Sequence, residues 1–277
     1  MRKKKRRRDE HRQRREDRSK EPTSNARSHT DRLVAMPTER KRSRAIQKPF
    51  RIDQAVREAF GRRLRTWFRV NGRDLPWRRT RVAYEVLVSE LMLQQTQVSR
   101  VVTRYGEFLE QFPTLADVAR AEPARVMEAW EGLGYYARAR NLHRLASEVT
   151  QGGSQPDRPL PPDPAALRTL PGIGAYTAGA VASFAYERRA ALVDTNVARV
   201  LKRVFAPGID AKSTVGQKRL WEIAESILPR TGPATWTHNQ ALKELGALVC
   251  TARVAHCDRC PVQSLCKSAK LVRQVSP

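Results

Sequence analysis

From about Phe50 onward, apolar positions recur at the three- and four-residue spacing of amphipathic helices almost without interruption. RIDQAVREAFGRRLRTWFRV reads as one helix and VVTRYGEFLEQF as a second, with PARVMEAWEGL, YARARNLHRLASEVT and QKRLWEIAESIL as three more. Strand-like alternation is nearly absent, so the pattern predicts an all-α fold. The proline-rich run SQPDRPLPPDP marks a surface connection, and no fixed-period repeat is present. One segment, AYEVLVSELMLQQTQV, carries an oddity. Tyr84, Leu87, Val88, Leu91 and Met92 make the apolar face of a buried helix, and Glu90 lies on or beside that face. A lone glutamate there either edges the stripe and points to water or is buried with a partner.

Ahead of about Phe50 the pattern is lost. Apolar side chains become scarce, and 19 of the 53 basic residues crowd into the first 50 positions. This predicts a disordered basic tail over 1–48, a folded core over 49–270 and a short C-terminal tail over 271–277. The tail is a solvated appendage, a non-specific DNA tether or a targeting segment. The formal charge of +25 and pI near 11.0 point to a polyanionic partner such as nucleic acid, with an anionic membrane as the competitor. Without the tail the core is still cationic. No apolar run approaches the roughly 18 residues of a membrane span, and the basic N-terminus lacks the apolar stretch of a signal peptide. The expectation is an intracellular, soluble protein.

All four cysteines, Cys250, Cys257, Cys260 and Cys266, lie within CTARVAHCDRCPVQSLC, separated by six, two and five residues. Four thiols so close together in an intracellular chain suggest one metal centre rather than a disulfide framework. Thiolates select zinc or an iron-sulfur cluster. A single Cys-x2-Cys with longer arms suits a [4Fe-4S] cluster better than paired zinc knuckles, though zinc stays open. Arg253, Arg259 and Lys267 nearby would balance thiolate charge or meet a DNA backbone.

Leu170, Pro171, Gly172, Ile173 and Gly174 form a turn leading into a helix of small residues. Its backbone N–H groups could face an anion at the helix N-terminus, or the turn is an ordinary connection. Downstream, Asp194 sits where it would cap a helix beginning near Thr195, an arrangement that favours the ionised carboxylate. Glu90 among apolar groups would instead have a raised pKa and could deliver a proton. Such a division between two carboxylates suits cleavage of a glycosidic bond.

Together, RDLPWR (73–78), SELMLQQTQV, GLGYYARARNLH (132–143), LPGIGAYTAGA, VDTNV and the Cys-x6-Cys-x2-Cys-x5-Cys segment resemble the helix-hairpin-helix DNA glycosylases, specifically the adenine glycosylases of the MutY type. The resemblance covers roughly Phe50 to Lys267. It implies a two-lobed fold, with a hairpin lobe over about 81–190 and a cluster lobe from 49–80 plus 191–270 that holds a [4Fe-4S] cluster. It also implies a monomeric, DNA-associated repair enzyme, cytoplasmic in a bacterium, that flips adenine mispaired with 8-oxoguanine or guanine out of double-stranded DNA. Carried over, Glu90 would protonate the leaving adenine and help activate water, and Asp194 would stabilise the sugar cation. Tyr176 would support that aspartate. Where the related endonuclease III type has a Schiff-base lysine this chain has Tyr176, so little or no lyase activity is expected.

For substrate binding, the resemblance implies that Gln240 pairs with the adenine edge, Trp77, Arg78 and Asn196 line the pocket, and Gln95 and Tyr135 wedge into the stack. Two departures stand out. Thr195 replaces a common glycine, so the backbone beside Asp194 would differ. The sequence continues for only 11 residues after Cys266, where adenine glycosylases commonly carry a Nudix-like domain, which puts discrimination of 8-oxoguanine from guanine in question. The rival readings are a sister glycosylase acting on T:G and a non-catalytic iron-sulfur DNA-binding protein.

Overall fold

The computed structural model describes residues 51–151 and 160–269. The expected tails over 1–48 and 271–277, and much of the proline-rich connection, lie outside the described residues. Among the described residues the structure is helical, with one isolated bridge, Cys250 to Ala255, as its sole extended pairing. The all-α expectation holds. No described helix is long and apolar enough to cross a membrane.

Eleven helices follow in order: α1 Gln54–Asn71, α2 Ala83–Met92, α3 Val98–Gln111, α4 Leu115–Arg120, α5 Pro123–Ala129, α6 Ala137–Gln151, α7 Pro164–Leu167, α8 Ala175–Phe184, α9 Thr195–Phe205, α10 Thr214–Ser226 and α11 Gly232–Leu248. Short polar side chains start many of them. Asp53 accepts from the N–H groups of Ala55 and Val56, Thr114 and Asp117 make a reciprocal capping box, and Asp163, Asp194 and Ser213 cap α7, α9 and α10. Each cap satisfies N–H groups that the helix cannot.

Helix α11 is the axis of the packing. It lies against α1 and α9 and also touches α8, which in turn packs on α2. Helices α3 and α6 cover α2, while α4 and α5 pack on α6. A continuous apolar core runs from Phe60 and Leu64 of α1 through Leu87 and Met92 of α2 to Leu201 of α9 and Leu245 of α11. Helix α8 approaches the chain behind it so closely that a Cβ on Gly179 would sit 2.1 Å from the Ala191 carbonyl oxygen. Only glycine fits there.

Two helices end sooner than their apolar pattern suggests. The expected helix through EGL stops at Ala129, because Gly132 (φ 81°), Gly134 (φ 69°) and Tyr135 (φ 47°) take left-handed backbones. SELMLQQTQV, which reads as one helix, is broken at Met92. Gln95 has φ 56°, and a new helix begins at Val98. The cause is Arg138 of α6, whose buried guanidinium donates to the carbonyls of Leu91 (2.6 Å) and Met92 (2.8 Å), so that no further helical turn is needed to satisfy them. The same guanidinium donates to the carbonyls of Leu133 and Gly134 and to Thr96 Oγ1. One side chain thus fixes both broken ends.

His238 of α11 is fully buried, stacks edge-on against Phe60 and leaves both ring nitrogens without a partner. Burial, with the nearby Arg65 charge adding to it, lowers its pKa to about 3. The folded state therefore holds the neutral ring, whereas the unfolded chain binds a proton near pH 6.5. Stability should fall as pH drops below that value, by up to about 1.4 kcal/mol per pH unit until the folded pKa is reached. Denaturant titrations at several pH values should show this slope reduced in His238→Leu.

Candidate functional site

A cavity of 680 Å³ opens where α2, α8, the N-terminus of α9 and α11 meet. Glu90 reaches it from α2, Tyr176 from α8, Asp194 and Asn196 from the start of α9, and Gln240 from α11. Trp77 and Arg78 join from the 3-10 turn Pro76–Arg78. Glu90 is 2% exposed, so the water-facing reading is excluded. It is paired instead: Lys243 Nζ lies 2.7 Å from Oε1 and 3.0 Å from Oε2, and the Tyr176 hydroxyl donates to Oε2. Burial, then the Glu90 and Asp194 charges, push the Tyr176 pKa well above its ordinary value, so the phenol stays protonated as donor. The expected partner of Tyr176 was Asp194. Its hydroxyl reaches Glu90 because that carboxylate comes down from α2 directly opposite the first turn of α8.

Asp194 caps α9 as expected, accepting from the Val197 N–H at 2.6 Å. Its pKa moves opposite to the direction expected from the cap. Burial raises its pKa first, and Glu90 adds to the rise; Lys243 and the Val197 and Asn196 N–H groups pull the other way without cancelling it. Capping and the helix end are outweighed by desolvation. Thr195 takes the ordinary backbone of a first helical residue, since its φ is not in the left-handed region, and glycine is not required there.

Gln240 is 3% exposed, and its Oε1 accepts from Arg78 Nε at 3.0 Å. Beside it, Glu244 takes three side-chain hydrogen bonds, two from Arg73 (2.8 and 3.0 Å) and one from Arg78 (2.8 Å), plus one from the Arg73 backbone N–H. Burial pushes the Glu244 pKa up, yet the bonds from Arg73 and Arg78 outweigh it and hold the pKa at about 2. RDLPWR is thus the segment whose two arginines clamp Glu244 and lay Trp77 against Tyr105. Asn196 is held through its Oδ1 by Arg199.

Exposed Gln95 stands at the cavity rim and continues into a second cleft of 500 Å³ that it shares with Tyr135, which is 61% exposed. Tyr135 is therefore not a core aromatic. In the hairpin, Leu170, Pro171, Gly172, Ile173 and Gly174 turn through Gly172 (φ 75°), which packs tightly on Asn141, and Gly174 caps α8. Ile173 N–H bonds to the Leu170 carbonyl, and Gly172 and Gly174 reach the cavity wall.

The four cysteines line a separate cavity of 390 Å³, each as a free thiol. Helix α9 anchors this loop: Arg199 donates to the Cys250 carbonyl at 2.7 Å, Arg203 to the Thr251 carbonyl at 2.7 Å and to Cys250 Sγ at 3.4 Å. Cys266 Sγ donates back to the Arg203 carbonyl. Among the described residues no group of three or more His, Cys, Asp or Glu side chains is drawn together as for a single metal ion.

With this geometry in place, comparison with known proteins gives a consistent result. A family model described as the HhH-GPD superfamily base excision DNA repair protein matches residues 88–226. The chain belongs to that superfamily. Among the curated relatives of this HhH-GPD chain is a human adenine DNA glycosylase, 43% identical over 232 residues, which are 80% of this chain and 41% of that protein. An adenine DNA glycosylase from Mycolicibacterium smegmatis is 46% identical over 200 residues, 72% of this chain and 66% of that protein. The chain thus spans only part of the relatives it matches. A solved thermostable thymine-DNA glycosylase is similar with TM-score 0.70 and 29% identity, over 78% of this chain and 98% of that one. An endonuclease III–DNA complex, at TM-score 0.65 and 24% identity, over 81% of this chain and 100% of that one, shares the fold.

Lys243, Glu244, Arg73 and Arg138 were not among the site residues expected from sequence. A pattern for the first two exists in HNQALKELGA, where Gln240, Lys243, Glu244 and Ala247 recur at three, four and seven residues and so share one helix face, which here is the cavity wall. Glu244→Gln should lower stability by about 3 kcal/mol, since it leaves two arginines facing a neutral amide in a buried site. Chemical denaturation measures this.

Proposed function

We propose that the chain is a monofunctional DNA glycosylase of base excision repair, which flips adenine mispaired with 8-oxoguanine or guanine into the 680 Å³ cavity and hydrolyses its N-glycosidic bond. The observation that carries this is the convergence on one cavity of two carboxylates in different settings, Glu90 and Asp194. Glu90, with a phenol and an ammonium beside it, passes a proton to the leaving base and then takes one from the attacking water. Asp194 in its anionic form stabilises the cationic sugar. The names of the relatives at 43% and 46% identity favour adenine over the thymine of the structural neighbour at 29%.

Gln240 supports the same choice. Arg78 fixes its amide so that both N–H groups and one lone pair remain for a base edge, the donor and acceptor set that adenine N7 and N6 require. Trp77, Arg78 and Asn196 complete the wall. Gln95 and Tyr135, which line the neighbouring cleft, would enter the stack of a double-stranded DNA partner. The turn Leu170 to Gly174 presents the N-terminus of α8 to a phosphate.

Cys250, Cys257, Cys260 and Cys266 would hold a [4Fe-4S] cluster that fixes the loop against α9. A single Cys-x2-Cys with longer arms favours that cluster over paired zinc knuckles, and Arg203 beside Cys250 would balance its charge. A core of this kind, with hairpin and cluster lobes, acts as a monomer on DNA inside the cell.

Purified protein incubated with duplexes bearing A:8-oxoguanine, A:G, T:G or normal pairs, then treated with alkali, should show strand breaks at the two adenine mispairs. Breaks at T:G alone would reassign the substrate, and breaks at none would favour a binding protein. Asp194→Asn should retain duplex binding while its single-turnover rate drops about 100-fold or more. Borohydride should trap no covalent adduct, since Tyr176 carries no amine and Lys243 is engaged by Glu90. Metal analysis should find about four irons and matching sulfide per chain.

A further inference from the structure

Glu90 and Asp194 share one cavity wall, and the cations available to them are few. Arg73 and Arg78 line the cavity too, but both are committed to Glu244. Lys243 is different. Its side chain is 15% exposed, and its ammonium bridges both oxygens of Glu90 and stands 5.5 Å from the ring centroid of Tyr176 and 5.1 Å from that of Phe184. Two aromatic faces and a carboxylate therefore hold a single positive charge in place.

We propose that Lys243 is a positioning residue whose ammonium, fixed on Glu90 and facing the cavity that Asp194 also lines, sets the pH window in which that carboxylate pair works. The proposal rests on the glycosylase reading above. Two carboxylates in one poorly solvated cavity repel each other, and each makes the other harder to ionise. An ammonium on the same cavity wall opposes that repulsion. Asp194 responds in this direction to Lys243, against the rise caused by burial. The other groups facing the pair do not substitute: the Tyr176 phenol from α8 stays neutral, Glu244 from α11 is neutralised by its two arginines, Gln240 is uncharged, and Arg199 of α9, which also interacts with the Asp194 charge, is committed to the Cys250 and Gly246 carbonyls and Asn196.

The reaction needs Asp194 ionised and an acid to protonate the leaving base, so its rate passes through an optimum in pH. Removing the ammonium leaves the repulsion between the two carboxylates unopposed and moves that optimum toward higher pH. In single-turnover assays on an A:8-oxoguanine duplex, Lys243→Met should shift the optimum upward by about one pH unit. Lys243→Arg, which keeps the charge, should leave the optimum near that of the unaltered protein whatever its absolute rate. Lys243→Gln serves if the methionine variant does not fold, with thermal melting and duplex binding as the check. A profile of Lys243→Met superimposed on that of the unaltered protein, or an equal shift in Lys243→Arg, would overturn the proposal while leaving the glycosylase reading intact. An unaltered protein that cleaves no duplex would overturn both.

Discussion

A carboxylate with 2% exposure cannot stand in an apolar wall without a countercharge, and the fold around the cavity is built on meeting that need. Glu90 on α2 requires Lys243 on α11, 153 residues away. Glu244, one residue on, requires Arg73 and Arg78 from the segment that precedes α2. These pairs tie the two ends of the folded core across one space, and the apolar packing of α11 on α1 and of α2 on α8 closes around them. The ion pairs do not drive folding, which is the work of the continuous core. They fix which faces meet.

Helix α9 links the two chemical regions of the chain. Its N-terminus carries Asp194 into the cavity, and about two turns later Arg199 and Arg203 grip the cysteine loop. The helix is buried along Val197, Val200, Leu201 and Val204, so one packed element joins the cysteine loop to the aspartate.

Much of this was legible in the sequence because it is local. Apolar spacing gave the helices, Asp194 before Thr195-Asn196-Val197 gave a cap, and the cysteine spacing gave a common cavity. Burial of Glu90 was legible as a question, whereas its answer was not, since a lysine in a helical sequence is ordinarily a solvated one. Arg138 was missed for the same reason. Nothing within SELMLQQTQV announces that an arginine 47 residues beyond Leu91 will take its carbonyl and break the helix. The direction of the Asp194 pKa shift was not legible, because cap and helix-end effects can be read from neighbours, but desolvation depends on what packs over the site.

The arginine that ends α2 has one more effect. By holding carbonyls on both sides, at Leu91 and Met92 and at Leu133 and Gly134, Arg138 sets the separation of Gln95 and Tyr135 before anything lies between them. Their left-handed backbones are locked as in a pair of callipers. The backbone entropy of ordering the two positions has been spent during folding, so in the proposed reading a duplex entering the cleft would meet a gauge already set to width.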